Sequence, residues 1–120
     1  MTCSIVLVNW NAGTNLAKAV ASIIQHHQNL VSSVIIVDNA STDDSLACVE
    51  TLTGLPFQIK IIRNPENRGF GAACNQGATL VSSEYVLFLN PDTRLFEDSL
   101  SVPLAFMQRP DTADVGIVGI

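Results

Sequence analysis

The chain has 120 residues, 48% apolar and 14% charged, which is enough apolar side chain for one globular core. Its 11 acidic and 6 basic side chains leave a net charge of −5, and this argues against nucleic acid, whose affinity rests on phosphate neutralisation by Lys and Arg. No apolar run approaches the roughly 20 residues of a membrane span, and Met1 to Ser4 show no basic targeting pattern, so the chain reads as cytoplasmic.

Taken in order, Ser4 to Val8 is an apolar run of strand type, ended by Asn9-Trp10-Asn11-Ala12-Gly13. Thr14 or Asn15 then caps a helix whose apolar positions Leu16, Val20, Ile23 and Ile24 recur at helical spacing. Val34 to Val37 is a second β-branched strand, closing on Asp38-Asn39-Ala40. Ser41 is expected to cap the next helix, with Asp43 and Asp44 in its first turn and Leu46, Val49 and Leu52 as its buried stripe. After a turn at Gly54 to Pro56, Gln58 to Ile62 is a third strand, ended by Arg63-Asn64-Pro65. A helix from Phe70 to Leu80 follows.

Tyr85 to Leu89 is wholly aromatic or aliphatic and reads as a fully buried strand. It must break at Asn90-Pro91-Asp92, because Pro91 has no N–H for a ladder and disfavours helix at Asn90. Asp98 to Gln108 reads as a helix with Pro103 near its start, and Val115 to Ile120 as a further strand. Strands alternating with helices predict a single α/β domain over residues 1–120, Rossmann-like, with a mainly parallel sheet flanked by helices. In such a sheet Asn9 and Asn11, Asp38 and Asn39, Arg63 and Asn64, and Asn90 and Asp92 all follow strands, so they share one rim, where open α/β sheets bind ligands.

Individually these residues support two readings each. Asp38 is either a turn residue bonding its own backbone or an acceptor for a ribose or base edge. Trp10, the only tryptophan, suits either the core or stacking on a flat base. Asp92 either shapes its turn or offers a free carboxylate. In Glu66 to Gly77, Gly69 and Gly71 permit close approach to a ligand or to a neighbouring element. That segment is neither a Walker A loop nor a dinucleotide fingerprint, since no Gly-Lys-Ser/Thr follows and Cys74 occupies the third glycine position. Cys3, Cys48 and Cys74 are unevenly spaced and read as reduced thiols. Adjacent helical histidines point about 100° apart, so His26 and His27 do not readily share one metal with them.

Together, Ile5 to Asn11, Val34 to Asp43, Asn67 to Gly77 and Val86 to Asp92 resemble, in order and spacing, the N-terminal half of family 2 glycosyltransferases with the GT-A fold. Val-Asp-Asn-Ala-Ser-Thr-Asp, Asn-Arg-Gly-Phe-Gly-Ala-Ala-Cys-Asn-Gln-Gly and Leu-Asn-Pro-Asp-Thr most resemble the rhamnosyltransferase-like branch. The resemblance implies inverting transfer of a sugar from a nucleotide-diphosphate donor, dTDP- or UDP-linked with rhamnose as the candidate sugar. The acceptor would be a hydroxyl on a glycan or lipid-linked molecule, in cell-wall, lipopolysaccharide or other polysaccharide synthesis, at the inner face of the membrane. It places Asn9, Trp10, Asn11, Asp38 and Asn39 at the nucleoside, Asn67, Arg68, Gly69 and Asn75 along the donor cleft, and Asn90 and Asp92 at the diphosphate. Asp92 would hold Mg²⁺ or Mn²⁺, a hard cation that prefers carboxylate and phosphate oxygens. Asn90 stands where the general motif has its first Asp.

The resemblance also implies an acceptor half and a carboxylate base beyond Ile120, so the chain is expected to be a truncated, inactive donor half that pairs with a second copy through its open sheet edge. Two other classes stand beside this reading. A nucleotidyltransferase of similar fold requires a glycine- and basic-rich first loop, whereas Asn9 to Thr14 has one glycine and no basic residue. The other is a non-catalytic nucleotide-sugar-binding module.

Overall fold

A computed structural model describes residues 3–120; Met1 and Thr2, part of the start at which no targeting pattern is expected, lie outside the described residues. Strand β1 (Cys3–Asn9) is followed by helix α1 (Asn15–His27), β2 (Val31–Asp38), α2 (Ser45–Glu50), β3 (Gln58–Arg63), α3 (Phe70–Ala78), β4 (Tyr85–Leu89) and α4 (Ser101–Met107). The four strands form one parallel sheet in the order β3-β2-β1-β4. The chain thus builds outward from β1 to β3, then crosses back to add β4 on the other side of β1.

All seven residues of β1 are buried, because both faces of this strand are covered. Cys3, Ile5 and Leu7, with Val34 and Ile36 of β2, pack against Leu16, Ala19, Val20 and Ile23 of α1, Val49 of α2 and Leu104 of α4. Val6, Val8, Ile35 and Val37 face the other way, onto Ala73 of α3. Each large aliphatic side chain removed from water in this way contributes about 1.5–3 kcal/mol before entropy is charged against it. Helix α3 lies so close to the sheet that a Cβ on Gly77 would stand 2.5 Å from Cγ1 of Val6.

The register sets the rim. Asn9 pairs with Asp38 and Asp38 with Arg63, so three strands end in one row. Leu89 pairs with Leu7, so β4 leaves the sheet before that row and Asn90-Pro91-Asp92 turns beside the end of β1.

Four expectations are corrected. Helix α2 starts at Ser45, not after a Ser41 cap: the Ser41 N–H donates to Asp38 and the Thr42 and Asp43 N–H groups to Asn11, which holds these residues in a loop. Strand β4 is not buried on both faces, since α3 packs chiefly on β1 and β2, and Val86 and Phe88 stay 40% and 45% exposed. Residues 115–120 form no strand: they join no ladder, and Gly116 and Gly119 weaken any tendency to extend. Helix α4 begins at Ser101 rather than Asp98, with Pro103 as its third residue, where a missing N–H costs no helical bond. No helix among the described residues is long and apolar enough to cross a membrane.

Candidate functional site

The floor of the rim is polar and buried. Asn9, fully buried, donates from Nδ2 toward Oδ1 of Asp38 (2.8 Å), Oγ of Ser45 (2.8 Å) and Oγ of Ser41 (3.1 Å). Two protons serve three acceptors, so one is shared. Oδ1 of Asn9 has no partner among the described residues. The other Asp38 oxygen accepts from the Ser41 N–H at 3.1 Å, and Asp38 is 4% exposed.

Above this floor the β1–α1 and β2–α2 loops are clasped. Asn11, at φ 49°, uses its Oδ1 to accept from the N–H groups of Thr42 (2.7 Å) and Asp43 (3.3 Å), while its own N–H donates to Oγ of Ser41 (2.9 Å). Asp43 answers from the other loop, accepting from the N–H of Gly13 (2.9 Å) and from both the N–H and Oγ of Ser45. These bonds, led by the one from the Ser45 hydroxyl, hold the Asp43 carboxyl below the usual aspartate range. Between Asn9 and Asn11, Trp10 is 59% exposed, which rules out the core reading for its indole.

A second polar knot sits at the ends of β2 and β3. Asn39 is buried; its Oδ1 accepts from Nδ2 of Asn64 (3.0 Å) and from the Arg68 N–H (3.4 Å), and its Nδ2 donates to the Gly69 carbonyl (3.2 Å). Asn64 and Gln76 exchange amide bonds of 2.8 and 2.9 Å, which fastens α3 to the end of β3. Asn67 accepts from the Gly69 N–H, and Gly69 takes φ 84° and ψ 166°, a region open essentially to glycine. The side chain of Arg68 stays exposed. Asn75 is also exposed, but it lies about 7.5 Å along α3 from Phe70 and is not drawn into these loops. Gly71 faces open space and makes no close approach.

At the end of β4, Asn90 and Asp92 are exposed. The turn is closed by the Thr93 N–H donating to the Asn90 carbonyl at 3.1 Å; among the described residues the Asp92 carboxylate makes no hydrogen bond, so it does not shape its own turn. The following stretch is stitched to α1, with the Leu95 N–H donating to Oγ of Ser22 (3.2 Å) and Nε2 of His27 2.7 Å from the Phe96 carbonyl. His27 is therefore a structural donor, with Nε2 protonated to meet that oxygen.

Asn9, Trp10, Asn11, Asp38 and Asn39 thus meet at one rim, with Asn67, Arg68 and Gly69 joined to it through Asn39. Asn90 and Asp92 flank it from β4. Asn64 was legible at the rim from its strand end, whereas Ser41, Asp43, Ser45 and Gln76 were not: short polar residues near turns are frequent, and only their partners distinguish these. An apolar cleft of about 530 Å³ lies between β4, α4 and residues 116–120, and none of the candidate residues lines it.

Among the described residues no cluster of three or more His, Cys, Asp or Glu side chains is placed to hold a metal by itself. One unengaged carboxylate at Asp92 still fits a hard cation of the Mg²⁺ type, which takes one or two carboxylates and completes its shell with phosphate oxygens and water.

An open parallel α/β sheet whose polar strand ends gather at a point of reversed strand order defines a Rossmann-like fold, a class in which such a point is where ligands bind. The sequence pattern of glycosyl transferase family 2 matches residues 4–120, and the chain belongs to that family. It is similar to an uncharacterized glycosyltransferase of Haemophilus influenzae, 30% identical over 105 residues, which are 87% of this chain and 41% of that protein. It is also similar to a putative teichuronic acid biosynthesis glycosyltransferase, TuaG, of Bacillus subtilis, 28% identical over 92% of this chain and 43% of that protein. The chain therefore spans about two-fifths of the length of these relatives. Among solved structures, the mannosyltransferase PcManGT of Pyrobaculum calidifontis, in complex with GDP-Man and Mn²⁺, superposes with TM-score 0.81 at 19% identity, covering 90% of this chain and 32% of that one. That likeness is one of fold, and it agrees with the GT-A architecture.

Proposed function

We propose that the chain is the donor-binding part of a glycosyltransferase that takes a nucleotide-diphosphate sugar, dTDP- or UDP-linked, and passes the sugar to a hydroxyl acceptor in polysaccharide synthesis. The observation that carries this reading is the position of Trp10 and Asp92. They follow β1 and β4, the adjacent strands between which the order of the sheet reverses, and both are exposed. In this reading Trp10 stacks on the base, and Arg68, Asn90 and Asp92 face the diphosphate. Asn9 through Nδ2, Asn11 through Oδ1, and Asp38 and Asn39 through both side-chain polar atoms bond to neighbouring loops, so they act as braces for the groups that meet the ligand.

Asp92 would hold Mg²⁺ or Mn²⁺, which neutralises charge on the departing nucleoside diphosphate when bound. Support for a divalent metal comes from the fold shared with a mannosyltransferase whose structure contains Mn²⁺. Rhamnose as the sugar, inversion at the anomeric carbon, and an acceptor half with the catalytic base beyond Ile120 belong to the same proposal. So does pairing of two copies along the free edge of β4, against which a strict monomer at high concentration in light scattering would count.

Calorimetric titration of UDP, dTDP and GDP, with and without Mn²⁺, into wild type and Asp92→Ala tests the reading. Metal-dependent binding that Asp92→Ala abolishes is expected. Binding that is indifferent to both Mn²⁺ and Asp92 would overturn the site.

A further inference from the structure

The turn that carries Asp92 is closed by its own Thr93 N–H and is also gripped by the side chain that follows it. Nη1 of Arg94 donates to the carbonyl oxygens of Pro91 (3.2 Å) and Thr93 (2.8 Å), which bracket Asp92. Nη2 donates to Oδ1 of Asn15 (3.0 Å), the first residue of α1. Arg94 takes part in neither of the ion pairs found among the described residues, Arg63 with Glu50 and Arg109 with Asp111. An arginine directed at three neutral oxygens works by geometry: its rigid fork holds several acceptors in fixed directions, which a lysine ammonium on a flexible stem does not. The need is local, because residues 90–100 contain no helix or strand and the direction of Asp92 has no other regular scaffold.

We propose that Arg94 is the positioning residue for Asp92. By gripping the carbonyls on both sides it sets the direction in which the carboxylate meets a metal-bound diphosphate. Through Asn15, five residues beyond Trp10, it keeps that carboxylate in register with the loop assigned to the base. The inference rests on the reading of Asp92 given above.

Two measurements test it, one of them free of any ligand. Backbone ¹⁵N relaxation on the free protein should give Asp92 and Thr93 order parameters near about 0.85 in wild type and below about 0.6 in Arg94→Ala. Unchanged values would overturn the clamp whatever the protein binds. Titration of UDP, dTDP and GDP with Mn²⁺ should then show the tightest of them weakened by about 10- to 100-fold in Arg94→Ala, as for partners that orient a metal ligand. Arg94→Lys, which keeps the charge, should lose as much; full retention by it would overturn the geometric role.

Because Arg94 acts through Asp92, Arg94→Ala should add nothing in an Asp92→Asn background. A further loss there would mean that Arg94 touches the ligand itself, and would overturn the inference while leaving the donor site standing. No metal-dependent binding in wild type would instead overturn the donor-site reading and the purpose given to the clamp, with the order parameters still deciding whether the clamp exists.

Discussion

Nδ2 of Asn9 lies 2.8 Å from Oδ1 of Asp38, and the two residues are 0% and 4% exposed. This buried bond joins the last residues of two adjacent strands, so the loops that leave them start from one fixed point. In Asp38→Asn one carboxylate oxygen becomes an NH2 group that faces a donor, either the Asn9 amide, whose two protons keep the Ser41 and Ser45 hydroxyls, or the Ser41 N–H. This donor set against a donor in a buried setting costs about 1–3 kcal/mol. Urea unfolding of wild type and variant measures this, and a difference of only a few tenths would show that the network relaxes around the change.

Gly77 and Gly71, both on α3, should respond in opposite directions to alanine. At Gly77 the new methyl meets Val6 at 2.5 Å, and overpacking of this kind costs about 1–3 kcal/mol, more than the gain in helix propensity returns. At Gly71 nothing lies within reach, so Gly71→Ala should stabilise by about 0.5–1 kcal/mol. Val6→Ala combined with Gly77→Ala should cost less than the two changes summed. Additive values would place the close approach elsewhere.

The Asp43 clasp makes part of the stability depend on pH. The folded carboxyl titrates below its ordinary value of about 3.9, so its contribution is complete above that value and is lost as pH falls through the lower, folded one. Asp43→Asn should therefore be less stable than wild type at pH 7 and at pH 5, with the gap closing below about pH 4. Chemical denaturation at each pH decides it; a gap that widens on acidification would reverse the assignment.

The thiols should differ in reactivity. Burial pushes the Cys3 thiol up to about 11, and it raises that of Cys74 to a lesser degree. Since the thiolate is the nucleophile, native alkylation at mildly alkaline pH should leave Cys3 untouched while half-buried Cys48 and Cys74 react. Mass spectrometry after labelling shows which cysteines carry the adduct. Native labelling of Cys3 as fast as Cys48 would contradict the burial of β1.

The alternation of strand and helix, the parallel sheet and the strand ends at Asn9, Asp38, Arg63 and Leu89 were legible in the sequence, because apolar periodicity and turn residues act locally. So was the family, through four motifs in order. What covers each strand was not. Tyr85 to Leu89 is as apolar as β1, yet only the placement of α3 over β1 and β2 leaves Val86 and Phe88 in water. Residues 115–120 have strand composition, but a strand also requires a partner in a ladder, and that is a tertiary event. In the site, the sequence by itself marked which residues stand at the rim, since a strand end is a local property. Which of them face outward and which brace the floor was decided by contacts between residues about thirty positions apart, such as Asn9 with Asp38 and Asn11 with Thr42. Hydrogen bonds of that kind leave no periodic trace in composition, so only the folded chain reveals them.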